Sequence, residues 1–282
     1  MTTASPPARV SGASAPPARH RVRFGGLLLA EWTKIRSVRS TVWTVILFVV
    51  LTVGLTAGLT ALVVGSWTKP GSANGQVQII EDPVGFILGA GLGIGQLTIC
   101  VLGVLLITTE YSTGVIRASL LAVPRRIPML AAKVTVFAAM LIVLAEAVAF
   151  GSFFAGSALL HSKVPVSLGD PGVTRAAVGA GLYLTVLGLF ALGIGGLIRH
   201  TAGAIAAVIG VVLVLPILTS FLPGSLGHHV NAYLPEQAGS LVYEAHRNAS
   251  QLLSPWQGFG VFCLWTAVLL GGAAFLLVRR DA

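Results

Sequence analysis

The chain has 282 residues and a net charge of +9, yet 55% of it is hydrophobic and only 10% charged, with a mean hydropathy of +0.89. Those proportions exclude an ordinary soluble domain. The excess positive charge comes without the basic, aromatic-interleaved soluble surface that nucleic-acid binding needs.

Residues 1–23 are rich in Ala, Pro and Ser, bury little, and are expected to be disordered. No cleavable signal peptide is expected in them, because the first apolar run starts after some forty residues and is too long for one. Residues 26–42 follow, with Leu28, Trp32, Ile35, Val38 and Val42 at helical spacing and Glu31, Lys34, Arg36 and Arg39 on the remaining faces. This predicts an amphipathic interfacial helix, with Trp32 and the Lys34, Arg36 and Arg39 stems at headgroup depth. It could serve as a plain anchor or also contact a partner.

A bilayer core about 30 Å thick takes about 20 apolar residues as a helix. Six runs qualify, at residues 43–64, 84–108, 134–160, 176–198, 202–222 and 259–278. The expected fold is all-α: a polytopic membrane protein of six transmembrane helices in one domain, residues 24–282. Fourteen of the eighteen Lys and Arg fall in the N-terminal region, the 110–133 loop, the Arg199 turn and the C-terminus. The positive-inside rule puts those segments, and both termini, in the cytoplasm.

Within the second run, Gly85, Gly89 and Gly93 are spaced by four, as are Gly91 and Gly95. The first set is the expected site of close helix packing or a subunit contact. Gln96 and, in the third run, Glu146 are polar groups inside the apolar segments. An intramembrane carboxylate suggests a proton relay or a substrate contact; the alternative expected here is a neutral Glu146 hydrogen-bonded to a neighbouring helix. Pro216 should kink the fifth run. The long outer loop 223–258 carries His228, His229 and His246, but their spacing does not suit a metal site. Cys100 and Cys263 lie inside apolar runs, so neither a disulfide framework nor a cysteine-bound metal is expected. No phosphate-binding loop and no hydrolase motif is present, so the chain is not expected to be an enzyme or to bind a cofactor.

The second run continues through ITTEYSTGVIRASLLAVPRRIPMLAAK into the third. Glu110, Tyr111, Gly114, a short apolar stretch containing Arg117, then Pro124, Arg125, Arg126 and Lys133 succeed one another. The segment resembles the cytoplasmic loop of ABC-2 type ABC-transporter permeases. AEWTKIRSVRSTVW before it resembles the pre-span helix of actinobacterial members, and the closing VRRDA resembles their C-terminus. The resemblance covers about residues 24–282. It implies a permease subunit in a bacterial cell membrane, paired with a second permease chain as a homodimer or heterodimer. Two copies of a separate ATP-binding subunit would carry ATP and magnesium. In that family the segment matching residues 110–126 docks on the ATP-binding subunit, and the exported cargo is commonly hydrophobic or amphipathic. Two other readings stand beside it: a proton-coupled secondary transporter using Glu146, and a non-transporting membrane anchor or sensor.

Overall fold

The computed structural model describes residues 24–67, 73–114, 126–246 and 251–279. The tail 1–23 and the residues Arg117, Pro124 and Arg125 lie outside them. Among the described residues every regular element is helical, and six helical segments are long and apolar enough to cross a membrane.

Helix α1 (Phe24–Ser37) meets α2 (Arg39–Gly65) at an elbow where Val38 is extended, with φ −83° and ψ 113°. After α3 (Ala73–Glu81), helix α4 (Pro83–Ser112) begins with Pro83 at its first position. There the Asp82 carboxylate accepts from the Gly85 backbone N–H at 2.9 Å, pairing an otherwise orphaned donor. Helix α5 (Arg126–Leu160) is 35 residues long, on the order of 50 Å at the α-helical rise, and so overruns a bilayer core. Helix α6 (Val173–Ile198) ends at Arg199 in the left-handed conformation, φ 59°. His200 then accepts from the Gly203 N–H at 3.2 Å to start α7 (Thr201–Ile209), so a two-residue turn reverses the chain.

The fifth predicted span is one continuous but uneven rod: α7, a π-helical turn (Gly210–Val214) and α8 (Leu215–Ser220). The irregularity lies just before Pro216, which cannot donate to the helix ladder; the wider turn absorbs its ring. Short helices α9 (Gly224–Ala232) and α10 (Pro235–Ser240), with a 3₁₀ turn (Leu241–Tyr243), precede α11 (Pro255–Arg279).

Helix α6 is the core of the bundle: 78% of its apolar window is buried, against 22% for α2 and α11. Lipid tails are as apolar as Leu, so close packing has to supply the association. The glycines of α6 permit it. A Cβ at Gly103 of α4 would stand 2.3 Å from the Gly188 carbonyl oxygen, and one at Gly188 would meet Leu141 of α5 at 2.4 Å.

Within the chain, the close approach of α4 to α2 is made by the second glycine pair. Gly91 and Gly95 make the close approach in α4: a Cβ there would lie 2.1 Å from the Thr52 carbonyl oxygen and 2.0 Å from the Thr52 hydroxyl. Gly85 is filled by its own Asp82 cap, while Gly89 and Gly93 face open space. The reason is rotational: two residues along a helix is about 200°, so the two glycine series lie on opposite faces. The partner surface is a stripe of fully buried threonines on α2, Thr52, Thr56 and Thr60, also spaced by four.

Candidate functional site

Four charged side chains from three helices converge at the end of the bundle that carries α1. Lys133 of α5 donates to Glu31 of α1 at 2.7 Å and to Glu110 of α4 at 2.8 Å. Lys34 of α1 donates to Glu31 at 2.9 Å and to Glu110 at 3.1 Å. The contacts close a ring in which charges alternate in sign, so no two like charges are neighbours. The ring is unevenly covered: the Lys133 side chain is 3% exposed and the Lys34 side chain 36%.

Burial pushes the Glu31 carboxyl up, but Lys133 and Lys34 outweigh it and hold the group below its ordinary value. Burial likewise draws Lys34 down, and Glu31 and Glu110 overcome it, leaving the ammonium above its ordinary value. The four contacts bind α1, α4 and α5 into one unit.

The sequence pattern placed Glu31 and Lys34 on polar faces of an interfacial helix. Instead, α1 packs on α5 with Glu31 and Ile35 buried, while Trp32, Arg36, Val38, Arg39 and Val42 are exposed. A buried ammonium on α5 lets the carboxylate turn inward beside Ile35, while Trp32, Val38 and Val42 lie on the outside. The contribution of Lys133 was visible only as a basic residue opening a span.

Next to the ring, Gly114 leaves α4 with φ +70°, a conformation that favours glycine. Tyr111 lies beneath the Arg199 guanidinium, 5.0 Å from ring centroid to carbon. Arg199 also donates to the Leu276 carbonyl at 2.9 Å, and Arg126 to those of Leu277 at 2.8 Å and Val278 at 3.3 Å. Two cations thus satisfy the free carbonyls at the C-terminus of α11 and suit its dipole. Arg126 and Tyr111 consequently clasp the last helix to the same end of the bundle.

Between the α1–α2 elbow and α4 lies a cavity of about 420 Å³. Lys34 and Glu110 form part of its polar wall, Ile35, Leu102 and Leu105 are among its apolar ones, and Ser40 and Thr41 stand at the elbow.

The intramembrane polar groups lie deeper. Gln96 accepts a hydrogen bond at 2.7 Å from Tyr183, a fully buried residue of α6 that the sequence pattern did not single out. The Glu146 carboxyl packs over Gly181, where a Cβ would come within 2.4 Å of it. Its Oε2 is buried and has no hydrogen-bond partner among the described residues. The expected hydrogen bond to a neighbouring helix is thus not made through this atom, because the surface opposite is a glycine.

At the opposite end, Arg175 at the start of α6 donates to the carbonyls of Val242 (3.1 Å), Glu244 (2.8 Å) and Ala245 (3.0 Å), fastening the segment after α10 over the bundle. No group of three or more potential metal ligands gathers among the described residues.

The chain matches no protein-family model and no curated protein. Its architecture, all-helical with six long apolar helices, is compatible with a multi-pass membrane protein.

Proposed function

We propose that the chain is the permease subunit of an ABC-2 type exporter in a bacterial cell membrane. Two such chains would enclose the path, and two ATP-binding subunits would dock on the segment that follows Glu110. The observation that carries this reading is the ring of Glu31, Lys34, Glu110 and Lys133. It braces the two helices that flank residues 113–125 to each other and to α1, so a push on that segment is delivered to α1, α4 and α5 together. Separate, unpaired helix ends would absorb such a push locally. The resemblance of residues 110–133 to the docking loop of those permeases, and the absence of a phosphate-binding loop from this sequence, agree with an energy source on another chain.

The charge asymmetry supports a cytoplasmic position for both termini and for the ring. A hydrophobic or amphipathic cargo fits the apolar character of the helices. The test is reconstitution: the purified chain should hydrolyse no ATP alone and should stimulate hydrolysis by a cognate ATP-binding subunit. Lys133→Met should abolish that stimulation while the chain still inserts. Stoichiometric hydrolysis by the isolated chain overturns the proposal.

A proton-coupled carrier is the second reading, favoured by the unpartnered buried oxygen of Glu146. The two separate in a transport assay at matched membrane expression. If Glu146→Gln abolishes transport while Lys133→Met does not, the carrier is the better account.

A further inference from the structure

We infer that the cavity between the α1–α2 elbow and α4 binds an acidic amphiphile, with its anionic head on Lys34, Ser40 and Thr41 and its chain along Ile35, Leu102 and Leu105. The reading needs only a bilayer around the six helices, so it stands or falls separately from the exporter proposal.

The cavity exists because α2 and α4 touch closely at Gly91 and Gly95, whereas farther along the same two helices bulkier residues, Thr41 and Thr44 on one and Leu102, Leu105 and Leu106 on the other, line open space. Helix α1 bounds the wedge with Lys34 and Ile35. Its volume of about 420 Å³ falls within the range of small-molecule sites, which are mostly apolar with a few converging polar groups.

The sign of the head follows from donor accounting. Both Glu31 oxygens accept from a lysine, and Glu110 accepts from two. Each carboxylate is thus paired with two ammonium groups, with both Glu110 contacts on its Oε1. An ammonium has three protons, and Lys34 spends two on the ring. Its third remains, on the one partly exposed ammonium of the four-residue ring. The Ser40 and Thr41 hydroxyls at the elbow add donors that no other described residue engages. The Ser40 and Thr41 hydroxyls can donate to an anionic head beside the Lys34 proton, and Arg36 and Arg39, exposed on either side of the elbow, set the local potential positive, which selects an anion. Lys133 makes this arrangement workable, since it holds Glu31 and Glu110 whatever Lys34 contacts. The apolar walls require the anion to carry a chain.

The test uses the full chain in a neutral detergent and native mass spectrometry with dioleoyl phosphatidylglycerol, dioleoyl phosphatidylcholine or inorganic phosphate. The expected result is one tightly held phosphatidylglycerol per chain, not displaced by equimolar phosphate. Binding should weaken about tenfold in Lys34→Gln, the size of one charge-assisted hydrogen bond, and at least as much in Leu105→Trp, which fills the cavity and leaves every charge in place. Should Lys34→Gln fail to fold, Ser40→Ala with Thr41→Val probes the same head site. Equal retention by wild type and Leu105→Trp would mean a lipid on the outer surface only and would overturn the site. Equal binding of phosphatidylcholine would overturn the acidic head, and displacement by phosphate would overturn the amphiphile in favour of a free anion.

Discussion

Lys133 is the residue on which the ionic ring most depends, because it is the ring's most deeply buried member and the one that joins α5 to both α1 and α4. Removing its charge leaves two buried carboxylates sharing one half-exposed ammonium. Breaking a buried pair in this way costs about 3–5 kcal/mol, far more than a surface pair is worth. Lys133→Met should therefore lower the unfolding midpoint in mixed detergent by several-fold more than Lys34→Met. In Lys133→Met/Glu31→Gln the two losses should add to less than their sum, since the second change removes the charge that the first leaves unpaired. Additive losses would mean that the two residues do not interact. The contributions of Glu31 and Lys34 should be insensitive to pH near neutrality. Glu31, held below 4.5, contributes above its unfolded value and loses that contribution only as pH falls through its folded one. Lys34, held above 10.5, loses its contribution only as pH rises through its folded value. Glu236 of α10 behaves differently. Burial pushes it up to about 7, with the Glu244 charge adding to the rise and a Gln237 hydrogen bond opposing it. A raised carboxyl binds its proton more tightly in the folded state, so stability present below about 4.5 is lost as pH climbs to about 7. Amide exchange across residues 235–246, corrected for intrinsic base catalysis, should be on the order of tenfold faster at pH 7.5 than at pH 5. Glu236→Gln should flatten that dependence; an unchanged slope would assign it elsewhere.

At the scale of the helices, the two glycine series of α4 make opposite predictions. Gly95→Val drives a side chain into Thr52, which lies 2.0 Å from the position of a Cβ. Overpacking of this kind costs about 1–3 kcal/mol, and here it also parts α2 from α4. Gly89→Ala meets nothing within 4 Å and should leave the stability of the single chain unchanged or slightly raised by helix propensity. Unfolding midpoints of the two variants decide the matter, and equal destabilisation would place Gly89 in the interior instead. The helix packing thus follows threonine as much as glycine. The repeat Thr52, Thr56, Thr60 is a signal in the sequence that points to the buried face of α2, and Gly91 with Gly95 is its complement.

Across the whole molecule, the end with the ionic ring also holds Arg126 and Arg199 on the C-terminal carbonyls of α11, so α1 and the last helix finish on one side. In a cysteine-free background, Ser162→Cys, exposed at the opposite end, should react with an impermeant maleimide on intact cells. Ser37→Cys, exposed beside the ring, should react only after permeabilisation. The reverse pattern would invert the orientation and remove the ring from the side where ATP is available.

The sequence by itself determined the number and approximate extent of the long apolar helices, because hydrophobic length is a local property summed over about twenty consecutive residues. It marked Glu110 and Gly114 as the edge and exit of α4, and Pro216 as the irregular point of the fifth apolar segment. Boundaries moved outward where polar residues continue a helix, as in the last turn of α4 from Thr109 to Ser112. Only the tertiary structure decided which faces meet. Glu31 and Lys133 are 102 positions apart, and no periodicity in either segment encodes their 2.7 Å contact. Tyr183 on Gln96, Gly181 beneath Glu146 and Arg175 on the segment after α10 are decisions of the same kind. In a medium where apolar residues gain nothing from burial, a helix can be recognised from its own residues, but the side it turns inward is fixed by small residues and polar partners on other helices.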